Sequence, residues 1–323
     1  MTNRNELKLA YFAAVLNAVI VGFSFLFTKM ALEHARPMDT LMYRFAVSFA
    51  VISIPVMFGR VKLNYRGKPL FKALLLATMY PLGFFTFQTF GLQSASSSEG
   101  GILYAFTPVL TMLLAYVFLK EVTTRLQMLS IFLSVFGVVF IFAMKGSGIA
   151  VSNMTGLILL FLSCLAFAGY SVLARSLLKT FSPAEISYMT LGIGFVTFLV
   201  ISLTDHATAG TLDTLFEPLA SSSFIVSILY LSVLSSLLTA LMSNYALSKI
   251  EASNMSVFSN LSTVVSIAAG AMFLQEEVTV YAVIGSLLII MGVIGTSRFK
   301  RTVPAPRTFH PDRQKFYEDK KIV

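Results

Sequence analysis

Apolar residues in this chain come in long runs rather than in alternation with polar ones. Ten runs, at about 9–30, 38–58, 70–91, 99–119, 125–143, 154–175, 184–204, 222–244, 253–274 and 279–298, each reach roughly the 20 residues a helix needs to cross a bilayer. Polar residues gather in the short connections and at the C-terminal end. The pattern predicts an all-α polytopic membrane protein with ten transmembrane helices. The first run imitates a signal peptide, but it is longer than a signal core and no A-x-A site follows, so it reads as the first helix.

Composition supports this reading. Charged residues make up 12% of the 323, against about 25% in a soluble chain, and the deficit is spread along the whole length. A soluble domain with one anchor is thereby excluded. The basic residues then orient the chain. With the N-terminus inside, all the Lys and Arg fall on the cytoplasmic side except Lys29, Arg36, Arg44 and Lys145. Both termini are then cytoplasmic, in a multi-pass protein of the plasma membrane. The net charge of +9 reflects this topology, so no nucleic-acid partner is expected. Residues 1–8 form a cytoplasmic N-terminus. Residues 299–323 form a basic, disordered cytoplasmic tail suited to anionic lipid headgroups.

The chain is self-similar. At an offset of 155, residues 90–137 align without a gap to 245–292, with identities that include Leu92/Leu247, Ser98/Ser253, Phe118/Phe273, Glu121/Glu276 and Gly137/Gly292. At an offset of 146, Pro37 falls on Pro183, Phe49 on Phe195 and Lys29 on Arg175. Two five-helix repeats follow, at 9–145 and 154–298. Because five is odd, the second copy enters from the opposite face. The repeats are therefore inverted, the arrangement on which alternating access usually rests.

At "YRF" (43–45), "FTPVL" (106–110), "FLKEVTTRLQ" (118–127) and "FLQEEVT" (273–279), with Gly137 and Gly292, the chain resembles the EamA-type proteins of the drug/metabolite transporter superfamily. The resemblance covers residues 9–298. It implies a secondary carrier of small polar or amphipathic metabolites, often amino acids and often in efflux. It also implies a central cavity lined by helices 1, 3, 4, 6, 8 and 9, with 5 and 10 peripheral. The second half departs from the pattern at Thr263, where a proline is usual.

Several polar residues stand inside these runs. Pro108 lacks the N–H that would bond the Tyr104 carbonyl, and Gly100 and Gly101 allow close backbone approach. Asn17, Gln88, Ser235, Asn244, Tyr245, Ser256 and Asn260 join Gly100, Gly101, Tyr104 and Pro108 as candidate cavity residues. The bland alternative for each polar side chain is an interhelical hydrogen bond of about 1 kcal/mol. Lys29, Arg44, Glu99 and Arg175 are candidate gating charges. For Arg44, about 9 Å inside the outer end of helix 2, snorkelling to headgroups is the competing reading. Glu121 and Glu276 read as structural helix-turn acids that help satisfy the first N–H groups of helices 5 and 10.

Other chemistries find little footing. One cysteine, Cys164, gives no disulfide. His34, His206 and His310 lie far apart in loops or the tail, without metal-ligand spacing. There is no phosphate-binding G-x-x-x-x-G-K-[ST] loop, no acid-rich Mg²⁺ motif and no mid-membrane carboxylate. No catalytic residue, metal or cofactor is expected, and the protein is not read as an enzyme. The expected partners are a small-molecule substrate and membrane lipid. A lipid or prenyl-carrier flippase of the same architecture is the alternative.

Overall fold

The structure, a computed structural model, describes residues 4–94, 104, 106–121, 123–144, 154–273 and 279–298. These residues are helical apart from short connections, with no strand among them. The helices are α1 (Arg4–Leu32), α2 (Pro37–Met57), α3 (Leu70–Ser94), α4 (Thr107–Leu119), α5 (Arg125–Met144), α6 (Met154–Leu177), α7 (Pro183–Ala209) and α8 (Ser222–Lys249). Then come α9, in two pieces, Ala252–Val257 and Ser259–Phe273, and α10 (Val280–Arg298). Six of them, α1, α2, α3, α6, α7 and α8, are long and apolar enough to cross a membrane. Apolar stretches in α4, α5 and α10 are shorter. Large apolar side chains such as Phe12, Phe71, Leu129, Phe132 and Val196 face outward, as a lipid-facing surface requires.

Local chemistry sets the boundaries. Pro37 and Pro183 open α2 and α7, where a missing N–H costs nothing. Ser182 and Glu185 form a reciprocal capping box, and Gly210, at φ +66°, ends α7. The connection expected at 205–221 is the end of α7 followed by a 3₁₀ helix, Leu212–Ala220. His206 therefore sits in the last turn of α7, buried, and not in a loop.

Two helices are irregular at mid-length. α3 passes through a π-helical segment, Thr78–Gly83, in which Tyr80 is extended (φ −145°, ψ 118°) ahead of Pro81. That conformation suits a residue preceding proline. α8 is π-helical over Tyr230–Leu238. At the offset of 155 both segments end at equivalent residues, Gly83 and Leu238.

Contacts between helices show the same correspondence. α3 packs on α6 as α8 packs on α1, and α4 packs on α6 as α9 packs on α1. α2 lies against α7, and α5 against α10. The last pair meets backbone to backbone. A Cβ on Gly292 would come within 2.6 Å of the Ser130 carbonyl, and one on Gly137 within 2.7 Å of the Gly285 carbonyl. Only glycine fits these positions.

Candidate functional site

A cavity with an empty volume of about 850 Å3, its mouth included, opens between α1, α2, α3, α6, α8 and α9. One wall is aromatic: Tyr80, Phe84 and Phe85 of α3, Tyr104, and Phe167 and Tyr170 of α6. The rings form a continuous set, with centroids 4.7 Å apart for Tyr80–Tyr170, 5.3 Å for Phe84–Phe167 and 6.0 Å for Tyr104–Phe167. The facing wall carries hydroxyls and small groups: Ser235, Thr239, Ala240 and Ser243 of α8, with Ser256 and Ser259 of α9. Asn17 and Ser24 of α1 complete it. The Asn17 amide donates to the Thr239 carbonyl (3.0 Å).

Arg44 of α2 also lines the cavity, and it is only 4% exposed. It does not snorkel. Its Nε donates to Ser236 Oγ (2.6 Å) and its Nη2 to Ser235 Oγ (2.9 Å) and the Ser235 carbonyl (3.3 Å). Its guanidinium carbon stands 4.3 Å from the centre of the Phe85 ring. The serines are on the irregular part of α8, so the irregularity helps hold the arginine.

Asn17, Arg44, Gln88, Tyr104, Ser235 and Ser256 are thus brought together around one cavity. Other candidates stand elsewhere. Asn244 is a buried junction beneath it, accepting from the Tyr170 hydroxyl (2.6 Å) and donating to Ser187 Oγ (2.9 Å). Tyr245 is half-buried in the core and does not line the cavity. Asn260 points to α5, donating to Ser134 Oγ (2.9 Å). Pro108 lies in the first turn of α4, where N–H groups have no intrahelical partner, so it interrupts no bond within that helix. Gly100, Gly101, Glu99 and Glu276 lie outside the described residues, as does the side chain of Lys29. Sequence reasoning missed Tyr80, Phe84, Phe85, Phe167, Tyr170 and Thr239. Aromatic residues in an apolar run carry no mark that separates cavity from lipid, whereas Pro81 inside the third run was a usable signal.

The face of the bundle that carries the start of α1 is tied together by polar contacts. Glu121, after α4, does not cap α5; Thr124 and Gln127 do that, with the Gln127 N–H donating to Thr124 Oγ1 (3.2 Å) and the Thr124 N–H to Gln127 Oε1 (2.9 Å). Glu121 reaches instead to the start of α9, accepting from the Ala252 N–H (3.4 Å) and Ser253 Oγ (3.2 Å). Arg175 of α6 lies 3.9 Å from it and donates to the Leu247 carbonyl (2.5 Å). Burial, and then the nearby charge of Glu251, push the Glu121 carboxyl above its ordinary pKa. On the same face Lys249 pairs with Glu6 (3.0 Å) and Lys68 with Glu185 (2.6 Å).

The opposite face holds a buried pair that the sequence reading did not foresee. His206 Nε2 lies 3.1 Å from Asp39 Oδ2, and Ser202 donates to Asp39 Oδ1 (2.6 Å). His206 Nδ1 faces the Thr211 carbonyl (2.7 Å). Both ring nitrogens thus face acceptors, which suits the imidazolium form.

Described residues that are almost all helical, apolar on the outer surface and gathered around a central cavity lined by polar and aromatic groups, have the build of a membrane transport protein. The chain belongs to the EamA-like transporter family, which matches residues 8–143 and 154–298. It is 45% identical over 288 residues to the "Uncharacterized transporter YcxC" of Bacillus subtilis (strain 168), covering 89% of this chain and 92% of that one. It is 29% identical over 178 residues, 52% of this chain and 54% of the other, to the "S-adenosylmethionine/S-adenosylhomocysteine transporter" of Chlamydia muridarum (strain MoPn / Nigg). A crystal structure 17% identical in sequence shares the fold, with a TM-score of 0.74 over 91% of this chain and 97% of that one.

Proposed function

We propose that the protein is a secondary transporter, not an enzyme, that moves a small polar or amphipathic metabolite across the plasma membrane by alternating access. An amino acid or a related compound, carried outward, is the expected cargo. In this reading ten helices form two inverted five-helix repeats, with both termini cytoplasmic. One observation carries it. The offset of 155 takes each of Tyr80, Phe84, Phe85, Gln88 and Tyr104 onto Ser235, Thr239, Ala240, Ser243 and Ser259, and all ten line the cavity. A cavity built from equivalent positions of two halves is what exchange of their shapes would open alternately to either side. The matched irregularities of α3 and α8 and the paired helix contacts support the same symmetry. Helices interrupted at corresponding positions are a recurring mark of a carrier's binding site.

A groove between α1, α9 and α10 supports the flippase alternative. Tyr11, Val15, Leu261, Ile290 and Arg298 line it, and Phe258 lines both the groove and the cavity. Proteoliposomes decide between the two. Uptake of a metabolite panel is measured with and without a pH gradient, beside scrambling of headgroup-labelled lipid in the same vesicles. Saturable flux of a metabolite supports the carrier. Lipid scrambling with no metabolite flux overturns it.

A further inference from the structure

Arg44 is a charged group held at the wall of a cavity with no counter-charge among the described residues. The cavity lining, among the described residues, includes no Asp, Glu or Lys. Burying a guanidinium is costly unless its charge is compensated. Serine oxygens and the Ser235 carbonyl satisfy Nε and Nη2, whereas Nη1 has no protein partner among the described residues. The serines thus fix the guanidinium in place at the cavity lining, with Nη1 left for a ligand to engage. Arg44 also stands over Phe85, at the edge of the aromatic wall.

We propose that Arg44 is the anion-binding subsite of this cavity and that the substrate is a monoanion, one carboxylate on an aromatic or other planar apolar body. The inference rests on the carrier reading and narrows it, to relatives of amino acids that lack the ammonium group. One cation is balanced by one negative charge. A dianion would need a second cation, and the described lining holds none besides Arg44. An ammonium group would meet hydroxyls and ring faces but, among the described lining residues, no carboxylate. The ring system of Tyr80, Phe84 and Tyr104 offers flat apolar surface beside the charge, and planar rings pack on such surface in offset or edge-on geometry. A charge-assisted hydrogen bond in a site shielded from water separates an acid from its isosteric amide by about tenfold or more.

The full chain in phosphatidylcholine nanodiscs tests this directly. The sequence has 12 tyrosines and no tryptophan, so tyrosine-sensitised emission from an indole ligand reports binding with no indole signal from the chain itself, the scaffold signal being subtracted with empty discs. Indole-3-acetate, indole-3-acetamide, tryptamine and tryptophan are the probes. Indole-3-acetate is expected to bind saturably, at least about tenfold more tightly than the other three. Arg44→Gln should remove the advantage of the acid and leave the amide unchanged, and Arg44→Lys should restore part of it. Should Arg44→Gln not fold, the comparison of acid with amide on the unaltered protein decides. Equal binding of acid and amide, equal binding of tryptophan and the acid, or no saturable indole binding overturns the proposal. A folded Arg44→Gln protein that binds the acid normally does the same. Repeating the titration in phosphatidylglycerol nanodiscs separates a free ligand from a lipid headgroup. Loss of acid binding there, at a salt concentration that screens the surface charge, makes Arg44 a lipid site, and the proposal falls. Acid-selective binding without flux in proteoliposomes would sink the carrier reading alone. Flux of a metabolite without acid selectivity would sink the subsite alone.

Discussion

Ser259 and Asn260 are neighbours, yet one lines the cavity and the other bonds to Ser134 of α5. A helix turns about 100° per residue, so one step decides between substrate and scaffold. Sequence alone marks both as polar residues in an apolar run. It does not fix the rotation, because Ser253, Asn254, Ser256, Ser259, Asn260, Ser262 and Thr263 fall on several sides of the helix. The same holds for Asn244, which is conspicuous by its amide and serves to join α6, α7 and α8. Asn260→Ala should therefore lower stability by about 1 kcal/mol and leave the apparent substrate affinity of the folded protein unchanged. Thermal unfolding in detergent and a flux assay check the two halves of that statement. Asp39 makes a harsher case. Asp39→Asn would strip a carboxylate from a buried His206 whose other nitrogen already faces a carbonyl. A loss of about 3 kcal/mol is expected in the same unfolding measurement.

At the scale of the helix, part of the architecture was legible and part was not. The six long apolar helices follow the runs that predict them, although α1 starts earlier and α7 and α8 end later. The break in α3 has a visible cause in Pro81. The irregularity of α8 has none, since Tyr230–Leu238 contains neither proline nor glycine, and it emerges only from packing. The α5–α10 contact was legible through Gly137 and Gly292. Gly292→Ala should cost about 1–3 kcal/mol, because its methyl would press on the backbone of Ser130 and Ser134. The cap that Glu121 provides for α9 could not be read from spacing, as its target lies 131 residues away. Its raised pKa gives a signed pH effect. As pH rises past the ordinary glutamate value, the unfolded chain loses this proton first, and stability falls until the folded group ionises too. Glu121→Gln should flatten that part of the stability–pH profile. An unaltered profile would show that the carboxyl is not strained by its burial.

Over the whole molecule, the basic residues propose an orientation that the cavity alone does not supply. Reporter fusions at both ends should place each terminus in the cytoplasm. The Glu121–Arg175–Ser253 contacts would then close the cavity toward the cytoplasm, joining the α4–α5 connection to the end of α6 and the start of α9. Weakening them with Glu121→Ala should favour opening on that side. With Cys164 changed to alanine and Ser171 to cysteine, labelling by an impermeant maleimide from the cytoplasmic side should accelerate. An unchanged rate would remove this contact from the gate.

The glycine seam between α5 and α10 has a mechanical corollary. When two bodies rock against each other, material on the line of rotation travels least and material far from it travels most. Backbones in close approach at glycines make a stiff contact, and α5 and α10 occupy equivalent places in the two proposed halves. A covalent staple across this seam should leave turnover nearly intact, while one joining α4 to the start of α9 should arrest it. The protein would then pivot where its helices come closest, and do its work where they stand apart.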